Sequence, residues 1–275
     1  MNILESIKEK INEADMVLLG IGEELQIREE DVIEKSPVYL AFAEELKCLK
    51  EAENNFIKDS LYVYELEKQK QTALSERLQT YHKLWGFLKD KNYFIVTICR
   101  DDLIYLSEFD SGRVVSPCGT RKLMKCGQGC SSEVLETEEV FLQLNHKLKQ
   151  MYKEGGFVYD RIEQDIPKCR ECGACMDMDF VGTAGYSEKG YEKNWKRYMM
   201  WLQGTLNKKI CILELGAGFS YPTVIRWPFE KVAMLNNKAC FVRVNEKLPQ
   251  TAKEIKEKSF SVEMNSVAFI EKITE

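Results

Sequence analysis

Apolar positions along the chain follow two rhythms. Ile3, Leu4, Ile7 and Ile11 recur at helical spacing, and Met16-Val17-Leu18-Leu19 then runs apolar without a break into Gly20-Ile21-Gly22. This order predicts a helix, a buried strand and a glycine turn. Pro37 opens another helical pattern through Val38, Leu40, Ala41, Phe42, Leu46 and Leu49, and a charged stretch from Leu61 to Leu88 keeps the same period.

Tyr93-Phe94-Ile95-Val96-Thr97 is β-branched and aromatic, and is bounded by polar residues on both sides. It suits a central parallel strand whose carboxyl end carries polar groups. Val114-Val115 is a shorter strand. Lys209 to Leu215 followed by Gly216-Ala217-Gly218 repeats the strand-then-glycine order, and Ala239 to Val244 supplies one more strand. Strands interleaved with helices predict an α/β fold, a Rossmann-like parallel sheet with helices on both faces.

Residues 120–180 differ in character. They hold two cysteine hooks and a helical segment from Glu133 to Tyr152. The expected organisation is a small module at 120–180 set into a larger domain made of 1–119 and 181–275. A chain of 275 residues is long enough for one full core carrying such a module.

A net charge of −5 with Lys and Glu interspersed gives no basic surface, so neither nucleic acid nor anionic membrane is an expected partner. No run approaches the roughly 18 to 20 apolar residues a membrane-spanning helix needs. The first residues form an amphipathic, charged pattern rather than a secretion signal, which points to the cytoplasm.

In a reducing compartment ten cysteines mean metal ligands or free thiols rather than disulfides. Cys126-Gly-Gln-Gly-Cys130 and Cys169-Arg-Glu-Cys172 are two short hooks, and together they supply the four soft ligands of a structural zinc. Cys175 is an alternative to Cys172 as the fourth ligand. Cys48, Cys99, Cys211 and Cys240 stand alone and read as small buried residues.

A glycine turn between strand and helix lets backbone N–H groups approach a phosphate. Gly20 and Gly22 after the first strand, and Gly216 and Gly218 after a later one, fit that role. Glu23 and Glu24 lie where the phosphate would sit and would repel it.

The order of these motifs resembles the sirtuins, the NAD-dependent protein deacylases and ADP-ribosyltransferases. Ala14 to Gly22 is similar to their first strand and glycine-rich NAD loop, Thr97 to Asp101 to their Thr-x-Asn-x-Asp motif, and Cys118-Gly119 to their His-Gly. The cysteine hooks fall where the family carries its zinc module. Leu213 to Pro222 followed by Ile225 to Glu230 resembles the macrodomain-linked bacterial branch. Val244-Asn245 resembles the last core strand.

The resemblance implies NAD or ADP-ribose as ligand. Gly20, Gly22, Gly216 and Gly218 would hold the phosphates, Asn245 the adenosine and Asp101 the ribose or nicotinamide end, with Thr97 also a cofactor-binding position. It also implies an acceptor protein. Cys118 replaces the family's catalytic histidine, Cys99 its Asn, and the arginine expected after the second hook is absent. The only histidines, His82 and His146, lie in helical stretches. The expected activity is therefore ADP-ribosyl transfer or slow NAD cleavage, with Cys118 and Asp101 as the catalytic candidates, rather than lysine deacylation. A catalytically inactive relative that binds a nucleotide or a partner protein is the alternative.

Overall fold

The computed structural model describes residues 2–72 and 76–275. Helix α1 (Ile3–Glu13) begins at a capping box, in which the Asn2 side chain accepts the Leu4 N–H and Glu5 accepts the Asn2 N–H. Strand β1 (Met16–Ile21) follows, buried along its whole length. Four helices come next: α2 (Glu29–Ile33), α3 (Pro37–Lys47), α4 (Glu51–Thr72) and α5 (Glu76–Leu88). Ser36 caps α3 by accepting the Tyr39 N–H, with Pro37 at the first helical position. The helical stretch expected over 61–88 matches α4 and α5, and its residues 73–75 lie outside the described residues.

The chain continues through β2 (Asn92–Thr97), β3 (Val114–Val115), β4 (Leu123–Cys126), β5 (Val134–Glu136), α6 (Glu138–Glu154) and β6 (Met176–Met178). It ends with α7 (Glu192–Gln203), β7 (Ile210–Leu215), α8 (Arg226–Leu235), β8 (Cys240–Val244), β9 (Ser259–Val262) and α9 (Ser266–Thr274). No described helix is long and apolar enough to cross a membrane.

Six strands form one sheet in the order β3-β2-β1-β7-β8-β9, and every neighbouring pair is parallel. Alternation along β1 sends Val17, Leu19 and Ile21 into one core and Met16 and Leu18 into the other. The first core also takes Ile7 and Ile11 of α1 and Phe269 of α9; the second takes Tyr198 of α7 and Phe229 of α8. Leu18, Ile212 and Phe241 are fully buried, each contributing about 1.5–3 kcal/mol. The order in which strands are added reverses between β1 and β7, with β2 and β3 laid down on one side and β8 and β9 on the other, which opens a crevice at the carboxyl ends of those strands.

The remaining strands form a small antiparallel sheet, β5-β4-β6. Helix α4 packs against both α6 and β6. The helix expected from Glu133 starts only at Glu138. Val134 and Leu135 pair with Lys125 and Met124, and the Thr137 hydroxyl is drawn to the Arg121 carbonyl at 2.7 Å. Pairing with β4 thus overrides the helical pattern before Glu138.

Candidate active site

The turn after β1 is built against the turn after β7. The Gly22 N–H donates to the Leu215 carbonyl at 2.8 Å, and a Cβ on Gly22 would lie 2.2 Å from the backbone of Ala217. Only glycine allows this approach. Gly216 sits in the left-handed region at φ +66, with the Glu24 side chain packed over it. A Cβ at Gly20 would meet Phe229 and Ile225, so this glycine makes room for the packing of α8.

Carboxylates of the first turn occupy backbone donors along this edge of the sheet. Glu23 Oε2 accepts the Gly218 N–H at 2.7 Å. Glu24 Oε1 accepts the Glu246 N–H at 2.7 Å, and Glu24 Oε2 accepts the Ser266 N–H and hydroxyl at 2.8 and 2.7 Å, at the positive end of α9. Asn245 is buried here as well: its side-chain amide donates to the Ala217 carbonyl, and its oxygen accepts the Lys247 and Leu248 N–H groups.

The carboxyl end of β2 supplies the second wall. The Thr97 hydroxyl oxygen accepts the Cys99 N–H at 3.0 Å, and the Cys99 thiol donates to the Gly22 carbonyl at 3.2 Å. Burial drives that thiol well above its ordinary pKa. Asp101 is buried and accepts the Ile27 and Leu103 N–H groups at 2.7 and 3.2 Å. Burial pushes its carboxyl up to about 6 against the pull of those two amides. Asp102, in the left-handed region at φ +58, accepts the Thr120 hydroxyl and the Arg121 N–H.

Arg100 stands between the Phe180 and Tyr221 rings, with its guanidinium carbon 5.3 and 5.4 Å from their centroids. It donates to the Val181 carbonyl at 3.1 Å and to the Tyr221 hydroxyl. Cys118 is buried within range of that charge. Burial pushes its thiol up to about 12, with Arg100 opposing the rise and Glu23 adding to it. At neutral pH this sulfur is a thiol, a poor base and a poor nucleophile. His82 and His146 lie on α5 and α6.

Gly22, Gly216, Gly218, Cys99 and Asn245 therefore meet at one edge, Arg100 and Cys118 lie together beside it, Asp101 is bound to the Ile27 and Leu103 amides, and a side chain at Gly20 would meet Phe229 and Ile225. Arg100 and Tyr221 were not among the expected site residues. A charged residue directly after an apolar strand was the signal available for Arg100.

The two cysteine hooks close on each other. The sulfurs of Cys126 and Cys130 are 3.4 Å apart, and those of Cys126 and Cys172 and of Cys130 and Cys169 are 3.5 Å apart; all four lie within 4.8 Å. Four thiolates on a zinc at about 2.3 Å have sulfurs roughly 3.8 Å apart, so this donor set fits a tetrahedral zinc. The hooks hold themselves in shape. Gly129 donates to the Cys126 carbonyl at 2.9 Å, Cys169 to Ala174 at 2.7 Å and Gly173 to Cys169 at 2.8 Å. Cys175 lies outside the group, with its sulfur against the carbonyls of Met176 and Ala52.

No family model matches the chain. It is 23 % identical over 185 residues to a protein ADP-ribosyltransferase of Staphylococcus aureus, covering 66 % of this chain and 56 % of that protein. It is 24 % identical over 159 residues to a probable bifunctional ADP-ribose hydrolase/ADP-ribosyltransferase of Fusarium oxysporum f. sp. cubense, covering 56 % of this chain and 26 % of that protein. The chain thus matches only part of the length of either relative. Among solved structures, a Sir2 enzyme superposes with a TM-score of 0.53 at 13 % identity, over 98 % of this chain and 96 % of that one. A Sir2 homologue in complex with 2′-O-acetyl ADP ribose gives 0.52 at 12 % identity, over 100 % and 95 %. The chain has the Sir2 fold.

Proposed function

We propose that this is a sirtuin-type protein that takes NAD at the carboxyl edge of the sheet and passes ADP-ribose to a protein acceptor or to water, in preference to lysine deacylation. The observation that carries this reading is the Sir2 fold over nearly the whole chain, with Gly22, Gly216, Gly218 and Asn245 gathered at the crevice between β1 and β7. The ADP-ribosyltransferase names of both relatives support it. In this reading residues 120–180 form the zinc module, held by Cys126, Cys130, Cys169 and Cys172, and 1–119 with 181–275 form the nucleotide domain. Its free thiols suit the cytoplasm.

Gly216 and Gly218 would face the diphosphate, Asn245 the adenosine, and Thr97 the nicotinamide end. Asp101 would act from behind, by fixing the backbone at Ile27 and Leu103. In transfer, the bond from ribose C1′ to the nicotinamide nitrogen breaks and the nitrogen keeps the electron pair. The acceptor's nucleophile then bonds to C1′ and gives up its proton. The Arg100 guanidinium is the positive group beside this space. Deacylation further requires a base for a ribose hydroxyl, typically worth about 10²- to 10⁴-fold, and a neutral Cys118 supplies none.

Binding without cleavage is the second reading. Cys99, Cys118 and Glu23, at or beside the reacting edge, are respectively bound to Gly22, protonated, and seated on the Gly218 amide. Incubation of the purified protein with NAD, with and without acceptor protein and acetylated peptide, separates the readings. Nicotinamide release with a mass gain on the acceptor supports transfer, and calorimetric ADP-ribose binding without release supports the second reading. Robust deacetylation defeats both.

A further inference from the structure

Glu23 and Glu24 occupy backbone donors of the kind that seat phosphates at the carboxyl edge of an open α/β sheet, but they do so differently. Glu24 has both oxygens satisfied, by Glu246 on one side and by the N–H and hydroxyl of Ser266 on the other. It ties the β1 turn to α9 and belongs to the framework. Glu23 makes one bond, from Oε2 to the Gly218 N–H, and its Oε1 is buried with no hydrogen-bond partner. A carboxylate oxygen taken from water and given nothing in return is a weakly held group.

A diphosphate and the Glu23 carboxylate carry the same sign and seek the same amide, so they cannot share it. The nearby Arg226 guanidinium is held in place, donating to the Ala217 and Leu248 carbonyls over the Phe219 ring, and its charge is offset by the Glu214 carboxylate at 3.7 Å. Release of Glu23 breaks one hydrogen bond and rehydrates the stranded oxygen, and Glu24 keeps the turn in place meanwhile.

We propose that Glu23 sets the ligand specificity of the crevice, as an internal anion that a nucleotide must expel from the Gly218 amide before its diphosphate can sit there. This rests on the nucleotide-site reading above. It says that ligands bearing a diphosphate bind against a competitor that is part of the chain, whereas ligands without one do not.

The test titrates the zinc-loaded full chain and its Glu23→Gln and Glu23→Ala variants with ADP-ribose and, separately, with adenosine. ADP-ribose should bind about tenfold more tightly to Glu23→Ala. Glu23→Gln should show a smaller gain, because the amide oxygen still competes for Gly218 but without charge. Adenosine should bind all three proteins alike. Equal ADP-ribose affinity across the three proteins overturns the proposal and leaves the nucleotide site standing. Equal tightening of adenosine also overturns it, since Glu23 would then act on the crevice as a whole. Absence of binding by either ligand to any of the proteins overturns both this proposal and the site. A readout on the unaltered chain needs no variant: the Gly218 amide resonance should move on saturation with ADP-ribose, and an unmoved resonance counts against displacement.

Discussion

Glu214 grips Arg243 with two hydrogen bonds, 2.7 Å to Nε and 2.9 Å to Nη2, and the two residues are direct partners on β7 and β8. Both are buried, and the third arm of the guanidinium reaches Glu230 at 2.7 Å and the Gln250 carbonyl at 2.6 Å. Breaking such a pair from one side leaves an uncompensated charge. Arg243→Met should cost about 3–5 kcal/mol in urea unfolding, and adding Glu214→Leu should recover part of that loss. If the single variant unfolds at the midpoint of the parent chain, the pair contributes nothing.

Asp101 makes stability depend on pH. Its carboxyl titrates at about 6 when folded, above its ordinary value of 3.8, so the folded chain holds a proton that the unfolded chain has released. The stability this lends is complete below about pH 4 and is lost as pH rises through about 6. Asp101→Asn should be destabilised, because one of its side-chain atoms becomes a donor facing an N–H. Between pH 5 and 7 the gap to the parent chain should narrow by about 1 kcal/mol. Denaturant midpoints at the two pH values measure this, and a constant gap argues against the titration.

Cys118 should resist alkylation. With its thiol near 12 and its side chain buried, iodoacetamide at pH 7.5 should label exposed Cys48 while leaving Cys118 untouched in the native protein. Peptide mass analysis reads both sites. Cys118→Ala should leave any nicotinamide release within about threefold of the parent chain, whereas a base would lose 10²-fold or more.

One zinc per chain is expected. Cys169→Ser removes one of four sulfurs, and metal analysis should then find well under one zinc. Hydrogen exchange should rise first in β4, β5 and β6, because those strands are short and rest on the hooks, while β1 and β7 stay protected. Uniform loss of protection would mean that the metal holds the whole chain together.

The four inner strands of the large sheet were legible because they are apolar runs of five or six residues ending at glycines or polar groups. The cysteine hooks were legible from spacing alone. Strands β4, β5 and β6 were not: Leu123-Met-Lys-Cys and Met176-Asp-Met are too short to show a period. β9 was missed because Ser259-Phe-Ser-Val alternates over only four residues beside a charged stretch. The phosphate-like position of Glu23 and Glu24 could be read from the turn, but not that they accept bonds there, since their donors lie 195 to 242 residues away. The Glu214–Arg243 pair did leave a trace, one charge near the end of each of two otherwise apolar strands.

The bond from Glu24 to Ser266 joins positions 242 residues apart. During synthesis β1 precedes residues 266–274, so its turn can be tied to β7 and to Glu246 before the Ser266 bonds can form. A product ending between Glu246 and β9 would contain every expected nucleotide-contacting residue and still lack the Ser266 half of the clasp on Glu24. Such a product should be recognised by proteases before it is of any use as a binding protein.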